Sequence, residues 1–238
     1  MTSDNKVEYV VLDKETLEQC LKDLGNLLRK KIKQPNISCE LIIVGGASVI
    51  LNYGFRYSTS DMDCTDEHKI LMNDVINKVA EKHNLPFSWI NTSFMNSNSY
   101  SPKISQYSSH YKTYGNGALT IRTIKDEYLL AMKVVSGRKY KNDYSDIYGI
   151  IVACKKANNE ITIEKIEKAL IDLYGSIDKA DKEAFEFAKK IIDNPNSIPY
   201  EEIRNMESEN AKLVKTKIAN DAEQADIEYI LTKLEIDK

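Results

Sequence analysis

Histidine and cysteine are scarce in this chain, and neither is grouped. The 238 residues hold three histidines, His68, His83 and His110, and four cysteines, Cys20, Cys39, Cys64 and Cys154. No two cysteines form a CxxC pair, which argues against a zinc site and against a disulfide framework. The histidines accompany no Ser or Cys motif that would make a nucleophilic triad, and all three read as structural. Long apolar runs are missing as well. The run Leu41–Val44 stops at Gly45-Gly46, and no stretch approaches the ~20 apolar residues of a membrane span. The opening MTSDNKVEYV lacks a basic region followed by an apolar one, so a secretory signal is not expected. These absences predict a cytoplasmic protein with no membrane partner. Excess positive charge is absent too. The net charge is −3, so global charge does not advertise nucleic acid as a partner. A local basic cluster does exist at Arg138-Lys139-Tyr140-Lys141, and it reads either as a binding patch or as an ordinary solvated loop.

What is present is the balance of a globular protein, 42% hydrophobic and 29% charged residues, patterned in two styles. The spacing predicts a helix over 14–33, with Leu17, Leu21, Leu24 and Leu28 on one face, Asp13 as N-cap and Pro35-Asn36 as breaker. Cys39–Val44 reads as a buried strand, followed by Gly45-Gly46 and a short helix closed by Gly54. Asp61–Cys64 reads as a second strand, Ile70–His83 as a helix and Phe87–Ile90 as a third strand. Residues 92–116, rich in Ser, Asn and Tyr, read as a long loop with at most one short element. Ala118–Thr123 alternates like a strand, and Asp126 is expected to cap a helix to Ser136. Beyond it come helices over 142–155, over 162–174 with Gly175 as stop, and from Asp178 to Asn194-Pro195. A charged helical stretch in one or two pieces follows Pro199. The fold class expected is α+β: a mixed β-sheet flanked by helices over 1–125, then an all-helical region over 126–238 that completes a cleft.

The chemistry concentrates between residues 45 and 63. Residues two apart on a strand point to the same face, so Asp61 and Asp63 would project together, roughly 6–7 Å apart at their backbones, with Met62 turned into the core. Paired carboxylates at that range can share Mg²⁺ or Mn²⁺, which is satisfied by one or two carboxylates plus phosphate oxygens. Gly45-Gly46 suits a turn where the backbone comes close to phosphate, with the following helix N-terminus aimed at the anion. Ser48 and Ser60 could add hydroxyls and Arg56 a cation. A DxD triplet by itself is weak, and the competing reading makes both aspartates turn or cap residues on a solvated edge. Strand, Gly-Gly, helix and then DxD within about 20 residues is a far less common combination.

Gly45-Gly46-Ala47-Ser48 followed by Asp61-Met62-Asp63 resembles the signature of the polymerase-β-like nucleotidyltransferase superfamily. The fuller string Arg56-Tyr57-Ser58-Thr59-Ser60-Asp61-Met62-Asp63 resembles an uncharacterised bacterial branch that includes the AbiEii-type toxins. That branch carries a second block, which Leu129–Val135 with Lys133, Arg138–Lys141, and Asp143-Tyr144-Ser145-Asp146 match in order and spacing. The resemblance covers residues 40–155. It implies that Asp61 and Asp63 bind metal, and that Gly45, Gly46 and Ser48 form the triphosphate loop, with Arg56 and Ser60 beside it. It also implies that Lys133 faces the nucleotide phosphates, and that Asp143 or Asp146 acts as a base or orients Lys133, with Arg138 in support. Read from the residues alone, Asp143 and Asp146 share a helix face at i,i+3, Asp143 is equally a helix N-cap, and Lys133 could snorkel to solvent. Many superfamily members have a third carboxylate on a later strand; Ala118–Ile124 contains none and offers Arg122.

The activity implied is metal-dependent transfer of a nucleoside monophosphate from an NTP to an RNA (tRNA) or protein hydroxyl, in the setting of a toxin and its cognate antitoxin. The alternatives are a small-molecule nucleotidyltransferase of the antibiotic-modifying kind, or a non-catalytic module that binds nucleotide or a partner protein. The missing third carboxylate favours the non-catalytic module.

Overall fold

The structure, a computed structural model, describes residues 11–32, 38–65 and 69–236, the side chains of 69–71 and 220–236 excepted. Pro35-Asn36 and His68 lie outside the described residues. The first helix, α1 (Lys14–Lys31), is capped by Asp13, whose carboxylate accepts the Thr16 N–H, and it buries Leu17, Leu21, Leu24 and Leu28. β1 (Cys39–Ile43) runs into α2 (Gly45–Asn52). β2 (Met62–Asp63), α3 (Lys69–His83) and β3 (Ile90–Asn91) follow. β4 (Ser108–Tyr114) and β5 (Leu119–Ile124) complete the strands. The helices α4 (Asp126–Ser136), α5 (Asp143–Lys156), α6 (Ile163–Tyr174), α7 (Lys182–Asp193) and α8 (Tyr200–Ile236) complete the described chain.

The sheet is mixed, as expected. β5 is central to a three-stranded unit, parallel to β1 and antiparallel to β4. β2 pairs in parallel with β3. An antiparallel bridge between Ile43 and Cys64, with Val44 N–H donating to Asp63 O at 3.0 Å, seats β2 beside the end of β1. The end of β1, which leads into the glycine pair, therefore lies beside β2, which carries Asp63; the strand expected over Asp61–Cys64 is shorter, and Asp61 stands immediately before it.

β1 is buried on both faces, and its period-2 alternation divides the core. Leu41 and Ile43, with Leu119 and Ile121 of β5, pack against α1 and α3. Ile42 and Val44 face the opposite way, into a second apolar cluster built from α4, α5, α6 and α7. Helices thus cover both sides of the strands, and the end of β1 is left between them.

Several local expectations are corrected. The third strand begins at Ile90, because Pro86–Trp89 forms a turn. The segment expected to be a loop contains β4, an edge strand whose middle residues are mostly exposed, so its polar sequence carries no buried alternation. Asp126 does not cap α4. The cap is Lys125, and the Asp126 carboxylate accepts the Tyr53 hydroxyl at 2.5 Å and the Asn159 amide at 2.9 Å. Asp178 lies in a 3-10 turn, and Asp181 caps α7 by accepting the Ala184 N–H. Thr162 and Gly175 bound α6 as expected. No helix among the described residues is long and apolar enough to cross a membrane.

Candidate active site

Where β1 ends, Gly45 adopts φ +63°, a left-handed conformation that costs a residue with a Cβ about 1–2 kcal/mol. A side chain there would also place its Cβ 3.0 Å from Asp63 Oδ2. Gly46 has a different reason. A Cβ on it would stand 2.5 Å from the Arg56 guanidinium and 2.9 Å from the Thr59 hydroxyl. The pair therefore lets Asp63 and Arg56 close over the start of α2, whose first N–H groups have no partner earlier in the helix.

Asp61 and Asp63 open into one cleft of about 910 Å³, while Met62 between them is fully buried. Gly45, Gly46, Arg56, Ser60, Lys133, Arg138 and Asp143 line the same cleft. The sequence-predicted residues thus converge, with two exceptions. Ser48 is fully buried within α2, its hydroxyl makes no hydrogen bond among the described residues, and it does not line the cleft. Asp146 also lies out of the cleft, behind Lys133.

Asp61 is held from two sides. Ser60 Oγ donates to Oδ1 at 3.2 Å and Asn91 Nδ2 donates to Oδ2 at 2.9 Å. Asp63 has no side-chain hydrogen bond among the described residues. Burial, followed by the like charge of Asp61, pushes its carboxyl up to about 6, against the opposing pull of Lys133, Arg138 and Lys141. A pair of carboxylates close enough to repel, one of them only partly compensated by the cations nearby, is the arrangement a divalent cation neutralises.

The second motif block forms a buried ion cluster. Lys133 Nζ lies 2.9 Å from Asp143 Oδ1 and 2.7 Å from Asp146 Oδ2, with side-chain exposures of 8% for the lysine and 1% for each carboxylate. Arg56 Nη1 donates to Asp146 Oδ2 at 2.7 Å, and Arg138 Nε donates to Asp143 Oδ2 at 2.8 Å. Burial penalises the Lys133 charge, but Asp146 and Asp143 outweigh it and hold the ammonium above its usual range. Burial likewise works against ionised Asp143, and Lys133 and Arg138 outweigh it, keeping the carboxyl well below the usual carboxylate range. Asp143 follows the cap Asn142, so it belongs to the first turn of α5 and anchors Arg138 through both backbone and side chain. α8 braces the same turn: Glu207 accepts the Ser145 N–H at 2.9 Å.

Sequence reasoning did not single out Asn91, Lys215 or Glu207. Lys215 lines the cleft from α8, and nothing in its charged surroundings marks it. Among the described residues no group of three or more His, Cys, Asp or Glu could hold a metal. The residue in register with Asp63 on the neighbouring strand is an amide, Asn91.

No curated protein and no solved structure matches this chain. A family model does match, over residues 19–205, a span that contains both motif blocks. The chain belongs to that family, described as "Nucleotidyltransferase of unknown function (DUF6036)".

Proposed function

We propose that this protein transfers a nucleoside monophosphate from an NTP to a hydroxyl acceptor in a reaction that depends on Mg²⁺ or Mn²⁺. The observation that carries the reading is the convergence of Asp61 and Asp63 with the start of α2 and the cations Lys133, Arg138 and Lys141 in one cleft. Its size, about 910 Å³, suits a ligand as large as a nucleotide. The donor set fits the metal: two hard carboxylates, one without a hydrogen-bond partner among the described residues, with space for phosphate oxygens.

In this reading the acceptor oxygen attacks the α-phosphorus, the bond from that phosphorus to the bridging oxygen breaks, pyrophosphate departs, and the hydroxyl proton passes to solvent in the open cleft. The N–H groups at the start of α2 receive phosphate oxygens. Arg138, anchored on Asp143, and Lys141 offset the charge that builds on the departing pyrophosphate. Lys133 lends its charge to the same wall while fixing Asp143 and Asp146, which in turn orient Arg138 and Arg56. Asp61 and Asp63 would hold the metal, which when bound would supply charge neutralisation and activation of the attacking hydroxyl.

The likeness of both motif blocks to the AbiEii-type branch supports an RNA (tRNA) or protein hydroxyl as acceptor and a role as the toxin of a pair with a cognate antitoxin. A second reading, a non-catalytic module that binds nucleotide or a partner, is favoured by the amide of Asn91 opposite Asp63. Incubation with each labelled NTP and total RNA or protein separates the two. Transfer that requires Mg²⁺ or Mn²⁺ and is lost in Asp61→Asn/Asp63→Asn supports the enzyme. Stabilisation by metal and NTP without transfer supports the module.

A further inference from the structure

Asn91 stands in parallel register with Asp63, one strand away from the aspartate pair. Both ends of its side-chain amide are committed. Oδ1 accepts the Ser93 N–H at 2.9 Å, and Nδ2 donates to Asp61 Oδ2 at 2.9 Å. Because a backbone N–H can only donate, the amide oxygen must face Ser93, and the NH₂ is therefore forced toward Asp61. Cys64 N–H donates to the Asn91 carbonyl at 2.9 Å, which ties the residue's backbone to the strand carrying the aspartates. Each ionised carboxylate oxygen has two acceptor sites. One donor on each oxygen of Asp61, from Ser60 and Asn91, leaves a further site on each.

We propose that Asn91 is a positioning residue: it holds the Asp61 carboxylate in the orientation that a divalent cation needs, through the hydrogen bond from Nδ2. The proposal rests on the reading of Asp61 and Asp63 as metal ligands. A half-buried carboxylate just before β2 would otherwise rotate about two side-chain bonds. Partners that orient metal-ligating groups contribute about 10–100-fold in metal affinity, and Asn91 is placed to contribute in that range. An aspartate at this position could accept from Ser93, but when ionised it could not donate to Asp61.

The test is Mn²⁺ binding to the full chain without nucleotide, followed by water-proton relaxation. Asp63→Asn serves as the control for the metal site and thermal melting as the control for the fold. Asn91→Ser retains a hydroxyl able to accept the Ser93 N–H in the same local turn but is too short to reach Asp61; Asn91→Ala loses both contacts. The expected result is wild-type binding that Asp63→Asn abolishes, with affinity about 10–100-fold weaker in Asn91→Ser and Asn91→Ala. A folded Asn91→Ser or Asn91→Ala that binds Mn²⁺ as wild type does overturns the positioning role and leaves the metal reading standing. Wild-type protein that takes up no Mn²⁺, or an Asp63→Asn variant that binds as wild type, overturns the metal reading and this proposal with it.

Discussion

Asp63→Asn should make the metal-free protein more stable at neutral pH. In the folded chain, burial and the neighbouring Asp61 raise the Asp63 carboxyl from 3.8 to about 6. The folded state therefore holds this proton to a higher pH than the unfolded chain does. Between the two values the folded state binds more protons, so stability falls as pH rises from about 4 to about 6 and the loss is constant above. The difference between those two values corresponds to roughly 3 kcal/mol. The carboxylate borders an open cleft, so solvent screening reduces that to about 1–2 kcal/mol. Asparagine has nearly the same shape and carries no charge to desolvate. At pH 8 with chelator present, the variant should melt about 2–8 °C above wild type. The advantage should shrink as pH is lowered through 6 toward 4, while stabilisation by Mn²⁺ is lost. Scanning calorimetry of both proteins across this range decides the matter. A variant that is no more stable than wild type at pH 8, or an advantage independent of pH, refutes the assignment of a desolvated, repelled carboxylate.

Two further substitutions probe residues that the resemblance marks as functional. Lys133→Ala leaves Asp143 and Asp146 buried with one cation fewer, so urea denaturation should show a loss of about 3–5 kcal/mol; a loss below ~1 kcal/mol would mean that Arg56 and Arg138 suffice to hold the two carboxylates. Ser48→Ala removes a buried hydroxyl without a partner, so it should be neutral or stabilise the protein by about 1 kcal/mol. It should also leave metal- and NTP-dependent stabilisation unchanged, and a weaker ligand effect would put Ser48 in contact with nucleotide after all.

Period and punctuation carry much of this fold. The i,i+3/i+4 leucines of α1, the alternation in β5 and the stops at Gly175 and Asn194 appear in the structure where the pattern puts them. So does the chain order of strand, glycine pair, helix and DxD, because each part is a short-range requirement written in adjacent residues. β4 was illegible because an edge strand with exposed side chains needs no apolar alternation. Asp126 and Asp178 look like caps in sequence, yet the structure uses Lys125 and Asp181, since a cap is chosen by where the chain enters the helix.

What the sequence by itself determined is that Asp61 and Asp63 flank a buried Met62, and that a glycine pair stands where β1 gives way to α2. Two-residue spacing and the absence of a Cβ act locally, whatever the rest of the chain does. Tertiary structure alone decided the partners. Arg56 reaches Asp146 across 90 positions of chain, Asn91 reaches Asp61 across 30, and Glu207 reaches the start of α5 across 62. Such pairs depend on how helices and strands are laid against one another. The same packing buries Ser48 and turns Lys133 toward two aspartates, because a charge withdrawn from water must find its counter-charge within the fold.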